Sequence, residues 1–165
     1  MSRPQRIEPG PGQESVWDYP RPPRLEPVAD RLTVVVGGVV VADTSAGFRV
    51  LETSQAPAYY FPPGDVDGAC LRPSTSHTWC EWKGEASYVD VVVGDRVVPD
   101  AGWTYLRPNP TFAPIAGYLA FYAQTADRCT VGDDTVLPND GDFYGGWITS
   151  RVVGPFKGAA GTRGW

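Results

Sequence analysis

Lysine is nearly missing from this chain: of 165 residues two are Lys, at 83 and 157, against twelve Arg. Histidine occurs once, at His77, and cysteine three times, at Cys70, Cys80 and Cys129. An odd set of cysteines without a secretion signal is read as reduced thiols of a cytoplasmic protein, since the cytosol disfavours structural disulfides. His77 and the cysteines contain no C-x2-C knuckle, so no metal and no cofactor is expected. Runs of basic residues are absent and the formal charge is −5, which argues against a phosphate track and hence against nucleic acid. No apolar run reaches membrane-spanning length, and no G-x4-G-K-[ST] phosphate loop occurs. Long amphipathic periodicity is missing too, which excludes a helical fold.

What is present is β-pattern and turn chemistry. Residues 1–28 are rich in Pro, Gly and Arg and read as an extended N-terminal arm; residues 29–165 read as a single β domain. Leu32–Val36 and Val39–Asp43 flank Gly37-Gly38, a two-residue hairpin turn. Further strands are expected at Phe48–Thr53, Ala58–Phe61, Thr75–Trp82, Ala86–Val93, Arg96–Val98, Gly102–Leu106, Tyr118–Ala123, Arg128–Val131 and Thr135–Leu137. One or two short helical turns are expected, one over Asp65–Leu71 capped by Gly64-Asp65. About nine to eleven short antiparallel strands make an all-β sandwich or barrel-like domain. The expected core is Val34, Val36, Val40, Leu51, Tyr88, Val91, Val93, Leu119 and Phe121.

Both lysines stand in one context, Glu81-Trp82-Lys83-Gly84 and Pro155-Phe156-Lys157-Gly158. Composition alone gives an aromatic-Lys-Gly triplet to roughly one lysine in seventy, so two in two mark positions where a flexible amine is wanted. The bland alternative is a lysine stem lying over the adjacent ring with its amine in water. Rings also cluster with glycine in Ala58-Tyr59-Tyr60-Phe61, Gly102-Trp103-Thr104-Tyr105, Gly117-Tyr118-Leu119-Ala120-Phe121-Tyr122 and Phe143-Tyr144-Gly145-Gly146-Trp147-Ile148. Such segments either line a concave pocket or fill a small β core.

Six segments together resemble the bacterial family called domain of unknown function 427. They are Glu14–Pro23, Val50–Thr53, Tyr59–Pro63, Cys80–Gly84, Phe143–Thr149 and Gly154–Gly158, in unbroken order over residues 14–165. The resemblance implies a small β domain similar to the β-tent architecture in a metal-free form, and brings a nucleotidyltransferase-like label. Glu52, Tyr60, Lys83 and Trp147 fall on the family's motif positions, as do Cys80, Gly84 and Trp103. Lys83, Glu52 and Cys80 are therefore the candidate catalytic residues, with Glu52 as counter-charge to Lys83. Tyr60, Trp82, Trp103, Tyr122, Tyr144 and Trp147 are the candidate ligand-binding rings. On an extended strand Cys80 and Lys83 point to opposite faces, so they meet only if the strand ends or bulges there.

Three functions remain open from these residues. The first is binding or transforming a small molecule in the aromatic pocket. The second is a non-catalytic protein-interaction module using exposed rings and the proline-rich arm. The third is nucleotidyl transfer, for which Asp133-Asp134 and Asp140-x-Asp142 are the nearest metal-binding carboxylates.

Overall fold

The computed structural model describes residues 4–141 and 143–165, and short strands joined by turns make up most of them. In chain order the strands are β1 (Glu14–Ser15), β2 (Arg24–Val28), β3 (Leu32–Val36), β4 (Val39–Thr44) and β5 (Gly47–Leu51). Then come β6 (Ala58–Tyr60), β7 (Leu71–Cys80), β8 (Gly84–Val93), β9 (Arg96–Thr104) and β10 (Leu119–Phe121). Short pieces complete the set: β11 (Arg128–Val131), β12 (Asp134–Thr135), β13 (Leu137–Pro138), β14 (Trp147–Ile148) and β15 (Val152–Val153). Helical structure among the described residues is limited to 3-10 turns. The chain is all-β.

Two four-stranded sheets, in the orders β10-β9-β8-β7 and β12-β11-β3-β4, carry the fold. A three-stranded sheet β2-β5-β6 and the pairs β13-β14 and β1-β15 complete it. Among the described strand pairs, only β1 and β15 run parallel. Gly37 and Gly38 have φ of 57° and 75°, the left-handed pair that closes the β3–β4 hairpin without a Cβ clash. The main core, with Leu32, Val34, Phe61, Val91, Phe121 and Trp147 at its centre, lies against both four-stranded sheets. A second cluster around Val50, Tyr60, Trp103, Phe112 and Ile115 supports the other face of β8 and β9. A third joins Val16 and Tyr19 of the N-terminal segment to Leu51 and Val152.

Register explains where the core departs from simple alternation. Val34 pairs with Ala42 but Val35 with Val40, so Val41 is an extra residue in a β-bulge. Val41 and Ala42 are consequently both buried, and Val40, expected inside, is 53% exposed. Tyr88 and Val93 are half-buried, while the other expected core residues are buried. The two strands expected over residues 96–106 are one strand, β9. Pro99 has no ladder donor, and it is tolerated because the pairing with β8 is irregular between Val89 and Val91. There Asp100 takes φ 49°, and its amide donates to the Asp90 carboxylate at 2.8 Å.

The turn before β7 also differs in its cap. Two 3-10 turns, Pro63–Asp65 and Gly68–Cys70, replace one, and Asp67 caps the second by accepting from the Ala69 amide at 3.1 Å. Asp65 instead accepts from the Thr44 hydroxyl at 2.7 Å. Pro27 sits in β2, an edge strand, where a missing donor costs nothing in the ladder. The Trp17 indole donates to the Pro155 carbonyl at 2.8 Å and lies 5.8 Å from the Trp165 ring, fastening the first segment onto the last.

Candidate functional site

β7 stops at Cys80, two residues short of the expected end, and Cys80 pairs with Gly84 across a turn of Glu81, Trp82 and Lys83. Gly84 has φ 102°, a conformation that a side chain would oppose, and this lets the chain reverse directly after Lys83. Asn109 locks the turn: its side-chain amide donates to the Trp82 carbonyl at 2.6 Å and its backbone amide to the Lys83 carbonyl at 3.0 Å. The Lys83 side chain folds back beneath the hairpin. Its Nζ donates to Cys80 Sγ at 3.3 Å and lies 5.6 Å and 5.9 Å from the Tyr105 and Phe112 ring centroids. The strand end is what brings the thiol and amine together.

Lys83 is only 8% exposed. Burial pulls its ammonium toward the neutral form, but the neighbouring Tyr60, Cys80 and Glu52 outweigh that, leaving its pKa above the ordinary lysine value. The amine is therefore a cation at neutral pH. Burial also pushes the Tyr60 and Tyr105 phenols up, so both remain protonated donors. The expected Lys83–Glu52 ion pair does not form. Glu52 is engaged elsewhere, by Arg21 Nε at 3.3 Å and Gln55 Nε2 at 2.8 Å. Its motif position places it at the strand end beside the N-terminal segment, where Arg21 reaches it first. Among the described residues no carboxylate lies within 4.0 Å of Lys83 Nζ.

Lys83 lies in the wall of a cavity of about 250 Å³. Glu52 and Cys80 line the same cavity, with the rings of Tyr60, Trp82, Trp103, Tyr122 and Tyr144. Trp147 does not. Its indole is 1% exposed, stacks on Tyr59 at 5.3 Å, and donates to the Phe121 carbonyl at 2.8 Å. The reason lies in the two preceding glycines. A Cβ on Gly145 would overlap the Trp103 ring and one on Gly146 the Ala56 backbone, so bare backbone forms the wall and Trp147 turns into the core.

Lys157, outside the expected site set, lines the cavity as well, with Nζ 5.2 Å from the Tyr144 ring centroid. Its backbone amide donates to Ser54 and its carbonyl accepts from the Asn139 side chain, each at 2.8 Å. The shared aromatic-Lys-Gly context was the available signal. The two glycines nevertheless serve different ends: Gly84 supplies a positive φ, whereas a Cβ on Gly158 would meet the Asp140 and Asn139 atoms. Tyr105 also lines the cavity and was detectable, since two residues after Trp103 its side chain returns to the same side.

The Tyr60 hydroxyl accepts from Trp103 Nε1 at 3.2 Å, and the Trp103 and Tyr122 rings lie 4.7 Å apart. A neighbouring cavity of about 480 Å³ shares Thr78, Tyr88, Tyr122 and Phe143 with the first. The Tyr88 hydroxyl lies 3.1 Å from that of Thr78 and 3.5 Å from that of Tyr122, a hydroxyl chain between the two spaces.

Other candidates lie elsewhere. His77 is exposed, 3.5 Å from Glu85. Cys70 and Cys129 are buried, and burial pushes the Cys129 thiol up to about 12. Asp134 accepts from the Ser150 hydroxyl at 2.9 Å and faces Arg151 at 3.4 Å. Asp142 lies outside the described residues. Among those described, no three His, Cys, Asp or Glu residues converge to hold a metal, and no helix is long and apolar enough to cross a membrane.

No curated protein matches the chain. The family model described as Domain of unknown function (DUF427), which carries the short label NTP_transf_9, matches residues 24–132, a span holding β2 to β11 together with Glu52, Tyr60, Cys80, Lys83 and Trp103; the chain belongs to that family.

Proposed function

We propose that the chain binds a small molecule in the cavity between the β7–β8 turn and the Gly145-Gly146 segment, with Lys83 as its anchoring group. One observation carries this reading: a charged lysine, 8% exposed, at a ring-lined cavity with no carboxylate in ion-pair reach among the described residues. Burying an ammonium is costly unless something compensates its charge, and a bound molecule can do so. Arg would keep the charge but add bulk and a planar fork where Lys83 presents a compact amine beside the Tyr105 and Phe112 rings. The test is a small-molecule screen by tryptophan fluorescence, since Trp79, Trp82 and Trp103 all line the cavity. Hits are expected to bind wild type and to be lost in Lys83→Arg, with far-UV circular dichroism unchanged. Hits that bind Lys83→Arg as well as wild type would overturn Lys83 as the anchor.

A protein-interaction role has its own support in Trp79 and Phe143, which are 73% and 60% exposed at the cavity rim. Lys83→Arg separates the two: it removes the small-molecule anchor but leaves a protein contact made by the exposed Trp79 and Phe143 rings unchanged. Nucleotidyl transfer draws no comparable support. A cavity of about 250 Å³ is small beside the roughly 300–1,000 Å³ of sites for drug-sized ligands. The carboxylates at Asp133 and Asp134 also lie outside its lining.

A further inference from the structure

The chemistry left unsatisfied around Lys83 is one-sided. The ammonium has three N–H donors and uses one on Cys80 Sγ. The Tyr60 oxygen accepts from Trp103 Nε1, and its own proton has no acceptor among the described residues. Tyr60 and Lys83 line the same cavity. The Tyr105 hydroxyl likewise makes no hydrogen bond among the described residues. Of the two carboxylates in the lining, Glu52 has its Oε2 engaged by Arg21 and Gln55 and Glu81 is exposed, and among the described residues neither makes an ion pair with Lys83. Lys157 adds a second ammonium to the same wall. A chain of formal charge −5 thus keeps two ammonium groups and free hydroxyl protons at one partly open cavity.

Resting on the small-molecule reading above, we propose that the ligand is a one-ring organic anion whose carboxylate or phosphate oxygens dock on Lys83 Nζ and the Tyr60 hydroxyl. An oxyanion takes up the free donors and supplies a counter-charge to the ammonium, whereas a cationic ligand meets the repulsion of Lys83 and Lys157 and has only Glu52, Glu81 and the ring faces to offset it. The rings determine the rest. Trp82, Trp103 and Tyr122 offer flat apolar faces, and about 250 Å³ limits the body to a single ring with short substituents. Lys157 stands where a second negative charge would find it.

The experiment uses the full chain and four probes of one shape: benzoate, phenyl phosphate, neutral benzamide and cationic benzylamine. Binding is followed by tryptophan quenching and checked by calorimetry. Benzoate or phenyl phosphate is expected to bind about tenfold or more tighter than benzamide, the worth of one charge-assisted hydrogen bond, and benzylamine weakest. Lys83→Met should bring benzoate down to the benzamide level. Lys157→Gln should weaken phenyl phosphate more than benzoate, and the tighter of the two wild-type anions identifies the head group. The wild-type ratio of benzoate to benzamide needs no variant, so the idea stays testable if Lys83→Met fails to fold. Benzamide binding as tightly as benzoate would overturn the anion while leaving the small-molecule pocket standing. No quenching by any of the four would overturn both.

Discussion

Replacing Trp147 by Phe tests which side of the wall this indole serves. The indole is 1% exposed and its N–H donates to the buried Phe121 carbonyl at 2.8 Å. Phe keeps a ring stacked on Tyr59 but deletes the donor and leaves a gap where the second ring was. Losing the donor to a buried carbonyl costs about 1–3 kcal/mol. The missing ring atoms add about 1–2 kcal/mol as transfer and cavity terms, with relaxation absorbing part of the sum. The net expectation is about 2–4 kcal/mol, or about 4–16 °C in Tm for a domain of this size. Urea unfolding followed by far-UV circular dichroism measures it, with the midpoint falling at unchanged slope. Benzoate affinity should stay within about twofold, because Trp147 does not line the cavity. A loss below about 0.5 kcal/mol, or lost benzoate binding with stability intact, would refute this placement.

Gly145→Ala should drive a methyl into the Trp103 ring, which its hydrogen bond to Tyr60 holds in place; the cost is about 1–3 kcal/mol, with a changed near-ultraviolet dichroism and weaker benzoate binding. Glu52→Ala should cost about 1–2 kcal/mol by chemical denaturation, the loss of the Arg21 and Gln55 contacts; a cost above about 3 kcal/mol would instead indicate that Glu52 is the direct partner of Lys83. Benzoate binding should be flat across neutral pH. Because the pKa of Lys83 is raised, the ammonium is fully present below its ordinary value of 10.5, and binding falls only as pH rises past it; a midpoint near neutrality would contradict this. Of the three thiols, half-buried Cys80 should react first with a maleimide at pH 8, and Cys129, pushed up to about 12, last; mass-mapped labelling in another order would refute it.

Local chemistry was the legible part of this fold. Gly37-Gly38 announced its hairpin because a two-residue turn is determined by the residues within it. Arg128–Val131 was readable from its own β pattern. What failed depended on partners far along the chain. Val40 read as core because alternation is counted from one strand alone, while the bulge that exposes it is a property of the β3–β4 pairing. Arg96–Val98 and Gly102–Leu106 read as two strands because the tolerance of Pro99 within one strand comes from the irregular β8–β9 register.

The site followed the same division. Aromatic-glycine segments pointed to rings near bare backbone, and most of those rings share one cavity. Trp147 was misplaced because nothing local says which side of a glycine pair the next ring takes. Motif position and charge matched Glu52 to Lys83, whereas Arg21, 31 residues earlier in the chain, is the residue that pairs with it. Lys157 carried the same signal as Lys83, but only the folded chain brings residues 83 and 157 to one wall.

The fastening of the chain ends bears on how the binding site is completed. Lys157 belongs to a tail clasped by the N-terminal segment: Trp17 donates to Pro155 at 2.8 Å and Ile7 to the Gly154 carbonyl at 3.2 Å. Neither Trp17 nor Ile7 lines the cavity, yet loosening them frees the strap on which the second ammonium is mounted. The family-matched stretch 24–132 also stops short of Gly145, Gly146 and Lys157, so cut out alone it would be a vessel open along one side. On the binding mode proposed above, occupancy of the cavity and attachment of the two chain ends would be thermodynamically coupled, since a molecule that bridged Lys83 and Lys157 would also hold the ends of the polypeptide together.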